Sequence, residues 1–255
     1  WASVQYPSGS SGSGVTGIAT APLTLTSPTT VPGMPLGIDA AADPEDGSRI
    51  LLSWAPSGDN SGFEVERSTG TAFTRIATVA ANPAYAEAPT PLLPFTYRIR
   101  AFNLLGYSAH SETVTARARV VVRFDTLPAQ SDLRVIGRGT RLTVAAVPPR
   151  TFSPALAGCG SVPTFIHLVR ISESEIAGVQ ANCTHQCCTT NYRANSASPP
   201  DGTLSCPCHG SQFRLDGSII NGPAAEPEPT FPTVIFPDRV EVLAPGTSAG
   251  DLARS

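Results

Sequence analysis

The chain has 255 residues and a formal net charge of −3, and only 15% of its residues are Asp, Glu, Lys or Arg. That length admits one large domain or two ordinary ones, and nothing in that charge points to a nucleic-acid or anionic-membrane partner. The 22 Gly and 25 Pro favour short strands and turns over long helices. No run approaches the ~18 consecutive apolar residues of a membrane span. Membrane contact is therefore expected only through a partner or through an anchor missing from this sequence, and Trp1 in place of Met reads as the start of a processed chain.

Residues 1–32 read as a flexible or extended N-terminal arm, from "SGSSGSG" and the Thr- and Pro-rich "TAPLTLTSPTTVP". A tether is the plain expectation; the alternative is a strand that pairs with a neighbouring subunit. Residues 33–118 alternate. Ile50, Leu52 and Trp54 share one face of "RILLSW", Phe63 and Val65 point inward from "FEVER" with Glu64 and Glu66 outward, and Phe95, Tyr97, Ile99 and Ala101 repeat the pattern. Period two between turn residues predicts half-buried antiparallel strands, about seven of them, hence a sandwich. With Trp54, "FEVERS", "YRIRAFN" and "NLLGYSAHS" in that order, the span resembles a fibronectin type III domain, which implies a fold and is nearly silent on function. Docking or assembly is the role expected of it, and His110 is expected in an exposed loop.

Residues 119–246 bring further short strands in "RARVVVRF", "RVIGRGTRLTVAAV", "FIHLVRI", "EIAGVQA", "FRLDGSII" and "PDRVEVLAP", and residues 247–255 read as a tail. His167 alternates with apolar neighbours and is expected to be an ordinary sheet histidine. Two boxes stand out, "CTHQCC" at 183–188 and "CPCHGS" at 206–211. Each supplies a thiolate and an imidazole, Cys183-x-His185 and Cys206-x-x-His209. Zinc takes such ligands, but a zinc finger usually pairs its cysteines and then its histidines. One Cys and one His from each loop suit two irons, one with two thiolates and one with two imidazoles.

The boxes, followed by the turn Gly222-Pro223-Ala224, resemble the Rieske [2Fe–2S] family over roughly 119–246. The resemblance implies an all-β protein, a fibronectin-like sandwich followed by an antiparallel Rieske-type domain with a two-loop cluster-binding subdomain. It implies Cys183 and Cys206 on the buried iron, His185 and His209 on the outer one through Nδ1, a disulfide between Cys188 and Cys208, and a Ser211 hydroxyl donating to a bridging sulfide. The chain departs from the family at Cys187, where the first box has Gly, and at Phe213, where high-potential members have a tyrosine. Histidine ligation places such clusters at about −150 to +300 mV, and Phe213, which cannot donate, predicts a value below the quinol-oxidising members. Cys159 and Cys187 are then left over; an even remainder predicts a second disulfide between them, with two free thiols as the alternative. Disulfides imply an extracytoplasmic home, periplasmic or extracellular. "NCT" at 182–184 matches a glycosylation sequon by chance, since Cys183 belongs inside the cluster loop.

A Rieske cluster moves one electron, so the expected function is electron transfer, by an exported carrier or a subunit of a larger redox assembly, with unidentified donor and acceptor proteins. A quinol-oxidising subunit of a cytochrome bc-type complex is one alternative. A structural, adhesive or filament-forming protein with an accessory cluster is another. An oxygenase needs a second iron site, and only His110 and His167 remain to build it.

Overall fold

The computed structural model describes residues 27–80, 82–195 and 202–247, so most of the arm and nearly all of the tail lie outside the described residues. Eight strands come first: β1 (Leu36–Ala42), β2 (Ile50–Ala55), β3 (Gly62–Ser68), β4 (Thr74–Val79), β5 (Ala84–Glu87), β6 (Phe95–Asn103), β7 (Gly106–Tyr107) and β8 (Val114–Ala116). One sheet runs β1-β2-β5; the other runs β4-β3-β6-β7, with β8 also on β6. This is the two-sheet sandwich that the fibronectin type III resemblance implies. Ile50, Leu52 and Trp54 meet Phe63, Val65, Tyr97 and Ile99 between the sheets, and the Trp54 ring stands edge-on to Phe63 at 5.3 Å. Each large apolar side chain so buried contributes about 1.5–3 kcal/mol.

Glu64 and Glu66 correct the simple alternation. They project from the outer face, as the pattern requires, yet they are only 2% and 8% exposed. β3 lies between β4 and β6, and arginines from both neighbours fold over it: Arg75 and Arg100 reach Glu64, and Arg98 reaches Glu66 at 2.6 Å. Burial pushes the Glu64 carboxyl up, but the hydrogen bonds from Arg75 and Arg100 outweigh it and hold it below the usual range. His110 is half-buried rather than fully exposed, its Nε2 3.2 Å from Glu66.

Ten strands follow: β9 (Val120–Arg123), β10 (Gly139–Val144), β11 (Thr164–Arg170), β12 (Ile176–Gln180), β13 (Asn191–Ala194), β14 (Gly202–Ser205), β15 (Gln212–Phe213), β16 (Ile219–Asn221), β17 (Thr233–Ile235) and β18 (Arg239–Val242). Sheets β10-β11-β12 and β17-β18-β9 enclose a core of Val122, Ile166, Leu168, Ile176, Val240 and Val242. Between β12 and β17 the chain makes a four-stranded sheet of short strands, β13-β14-β15-β16, which carries the cysteine boxes. The segment 148–163, despite its Gly and Pro, is ordered locally: Pro149–Thr151 and Pro154–Cys159 form 3₁₀ turns.

The two halves are joined by more than the chain. Leu92, between β5 and β6, buries itself in the second core and gives its N–H to Ala118 O at 2.8 Å. Glu241 on β18, fully buried, accepts from Arg119 at 2.7 Å and Arg239 at 2.8 Å. Arg239 also donates to Pro44 O at 3.1 Å, and Arg119 N–H to Gly47 O at 2.7 Å, both in the β1–β2 loop of the sandwich. A Cβ at Gly47 would lie 2.5 Å from the Glu241 carboxylate. Among the described residues no helix is long and apolar enough to cross a membrane.

Candidate metal centre

The two boxes fold into the same turn. Cys183 O accepts the N–H of Cys187, and Cys183 N–H reaches Cys188 O, both at 2.8 Å. Cys206 O accepts the N–H of Gly210 at 3.1 Å, and Cys206 N–H reaches Ser211 O at 2.8 Å. In each loop the fourth residue after the cysteine carries a positive φ, 63° at Cys187 and 81° at Gly210. Glycine adopts that conformation freely; a residue with a Cβ is strained in it by about 1–3 kcal/mol.

Cys187 sits there under a covalent constraint. It is bonded to Cys159, and its neighbour Cys188 is bonded to Cys208. Adjacent cysteines thus reach opposite ways, one to the 3₁₀ segment and one to the other loop. Closing a loop of 28 residues removes about 3–4 kcal/mol of unfolded-state entropy in the simple chain model, which exceeds the backbone strain.

Among the described residues the remaining thiols are Cys183 and Cys206, both buried. Burial pushes the Cys183 thiol up to about 11, as for a sulfur held in an apolar pocket. His185 and His209 stand edge to face, 4.8 Å apart. His209 is exposed and His185 half-buried, and the buried His185 Nδ1 has no hydrogen-bond partner. A buried ring nitrogen left open is what a metal ligand needs. Two buried thiols inside, two imidazoles outside and an orphaned Nδ1 therefore fit a [2Fe–2S] cluster with mixed ligation.

The surrounding residues fix this arrangement. Ser211, fully buried, accepts the Ala224 N–H on Oγ at 3.1 Å, which leaves its own proton to give. Gly222, at φ 102°, lets the third loop pass so close that a Cβ would lie 2.4 Å from Ser211 Cα. Phe213, fully buried, packs in the same small core as Cys183, Cys206, Leu204 and Val179. His167 lies elsewhere, 3% exposed on β11, with Nε2 3.0 Å from Thr190 O. Burial holds its pKa down to about 4, so it is neutral.

Two residues at the site escaped the sequence. Thr184, between Cys183 and His185, donates its N–H to Glu228 Oε1 at 2.9 Å and its hydroxyl to Glu226 O at 2.7 Å. Glu228 is 2% exposed, and burial pushes its carboxyl up to about 8. "AAEPEPTFP" carries no periodicity and reads as a solvated acidic loop, so nothing in it signals a buried acid.

Residues 144–232 match the Rieske [2Fe-2S] domain family. The cytochrome b6-f complex iron-sulfur subunit 3 of Nostoc sp. is 36% identical over 84 residues, 33% of this chain and 44% of that protein. Subunit 1 of Synechocystis sp. is 31% identical over 85 residues, 33% of this chain and 45% of that protein. The chain thus spans less than half the length of these relatives. The crystal structure of an Fn3-like protein from Clostridium thermocellum aligns with 34% of this chain and 94% of its own, at 23% identity and a TM-score of 0.32.

Proposed function

We propose, from a chain whose residues 144–232 carry a Rieske [2Fe-2S] domain, that it is a one-electron carrier of an oxidising, extracytoplasmic compartment, either free or docked in a larger redox assembly. The carrying observation is the pairing of two buried thiols with two outward imidazoles on loops of identical turn geometry. Cys183 and Cys206 would supply the two thiolates and His185 and His209 the two imidazoles that hold such a cluster. When bound, such a cluster takes up and gives back one electron, at a potential raised by its neutral imidazole ligands.

The chain's residues set the conditions for that exchange. The buried cysteines and Phe213 exclude water from the inner side. The Ser211 hydroxyl, whose Oγ accepts from the Ala224 N–H, would be able to give its proton to the cluster and so favour the reduced charge. The Cys188–Cys208 bond ties the two loops, so their geometry changes little between oxidation states. The exposed His209 marks the face at which a donor or acceptor docks. On this reading residues 33–118 are a docking or assembly module and 119–246 the redox domain.

Membership of a quinol-oxidising complex is the second reading, favoured by relatives named as cytochrome b6-f subunits. Iron and acid-labile sulfide analysis of the purified protein tests the first reading. Two irons and two sulfides per chain are expected, with the low average g-value in the reduced-state EPR that mixed nitrogen and sulfur ligation gives. Stoichiometric zinc without iron overturns it. Purification from the source in a stable complex with a b-type cytochrome decides for the second reading.

A further inference from the structure

Glu228 has no part in the ligand set, yet it is the charged type of residue that proteins bury least readily. It follows the Gly222-Pro223-Ala224 turn on the third loop and is 2% exposed. Its backbone is pinned: its N–H donates to Gly217 O at 2.9 Å, and a Cβ at Gly217 would lie 2.1 Å from Glu228 O. Its Oε1 accepts the Thr184 N–H at 2.9 Å, while its Oε2 is buried without a partner. Burying a half-satisfied carboxyl is unfavourable, where a leucine would fill the space without leaving a polar atom unpaired. The contact it makes falls on Thr184, the residue that links Cys183 to His185.

We propose that Glu228 is a positioning residue for electron transfer: it clamps the Thr184 peptide and thereby sets the relative orientation of Cys183 and His185. The proposal rests on the ligand assignment above. The clamp has two jaws, since the Thr184 hydroxyl is held by Glu226 O on the same loop at 2.7 Å. The third loop thus grips the first at the peptide between a ligand of one iron and a ligand of the other. Rotation of that peptide would move sulfur and imidazole together, and both govern how the added electron is stabilised.

The test compares Glu228→Leu with Glu228→Gln in the full, cluster-loaded chain. Three quantities are read: iron retained through gel filtration and its rate of loss, EPR g-values, and reduction potential by voltammetry. Glu228→Leu keeps the volume and removes the acceptor. Its g-values and potential should shift, and iron should leave about tenfold faster or more, the loss expected for one hydrogen bond to a charged or buried acceptor. Glu228→Gln keeps an acceptor for the Thr184 N–H and should restore all three toward the parent values. A leucine variant identical to the parent overturns the proposal. So does a glutamine variant as impaired as the leucine one, because the acceptor would then not be what matters. A parent protein without a [2Fe–2S] cluster overturns the ligand assignment instead.

Discussion

Strand β6 buries Phe95, Tyr97, Ile99 and Ala101, every second residue along nine. In the sheet β13–β16 no strand exceeds four residues, and its core is Val179, Leu204, Phe213, Ala224 and two thiols. The sandwich stands on apolar area. The sheet that carries the cysteine boxes buries too little for that and is held instead by two disulfides and close turns. A fold can therefore be strongly patterned at one end and cross-linked at the other, and the two ends should fail differently.

The joint between them offers the strongest way to break the comparison. Glu241→Gln leaves Arg119 and Arg239 buried beside a neutral group. Breaking a buried ion cluster in this way costs about 3–5 kcal/mol. The urea transition, expected to be single in the parent because the joint couples the halves, should divide into two, with near-ultraviolet absorbance reporting the cluster end and Trp54 fluorescence the sandwich.

A smaller effect sharpens it. Replacing the outer bond by Cys159→Ser with Cys187→Ser should lower stability by about 3–4 kcal/mol, the chain-entropy value for its loop. Cys159→Ser with Cys187→Gly should lose about 1 kcal/mol less, because glycine accepts the positive φ at residue 187 without strain. Equilibrium unfolding of both double variants measures the difference. Equal losses would show that the backbone there relaxes once the bond is gone.

The smallest effect comes with pH and belongs to the core beneath the cluster sheet. His167 has a folded pKa held down to about 4, against an ordinary value of 6.5. Between those values the unfolded chain binds a proton that the folded chain refuses, so stability falls as pH drops through that window. The loss should reach about 2 kcal/mol by pH 5 and disappear in His167→Gln.

Alternation made β2, β3 and β6 legible in the sequence, because period two leaves an imprint on neighbouring letters. The boxes were legible because ligands cluster on short loops. Burial of Glu64 and Glu66 was not, since their covers, Arg75, Arg98 and Arg100, come from other strands, Arg98 and Arg100 more than 30 residues away. Glu228 was hidden for the same reason: its partner Thr184 lies 44 residues away. Strand β17, three residues of "TVI" between prolines and a turn, is too short to show a period. The 3₁₀ turns at 149–159 are specified by Pro at their first positions, a signal that composition alone blurs into loop.

The six cysteines ask the cell for opposite treatments. Four must meet an oxidant, while Cys183 and Cys206 must never do so before iron arrives. If all six oxidised, 15 pairings would compete, and any bond that includes Cys183 or Cys206 forecloses the centre. Those two thiols are buried in the finished fold, so closure of the chain around them withholds them from the oxidant that the other four sulfurs meet. The fold thus sorts its sulfurs by which of them it hides.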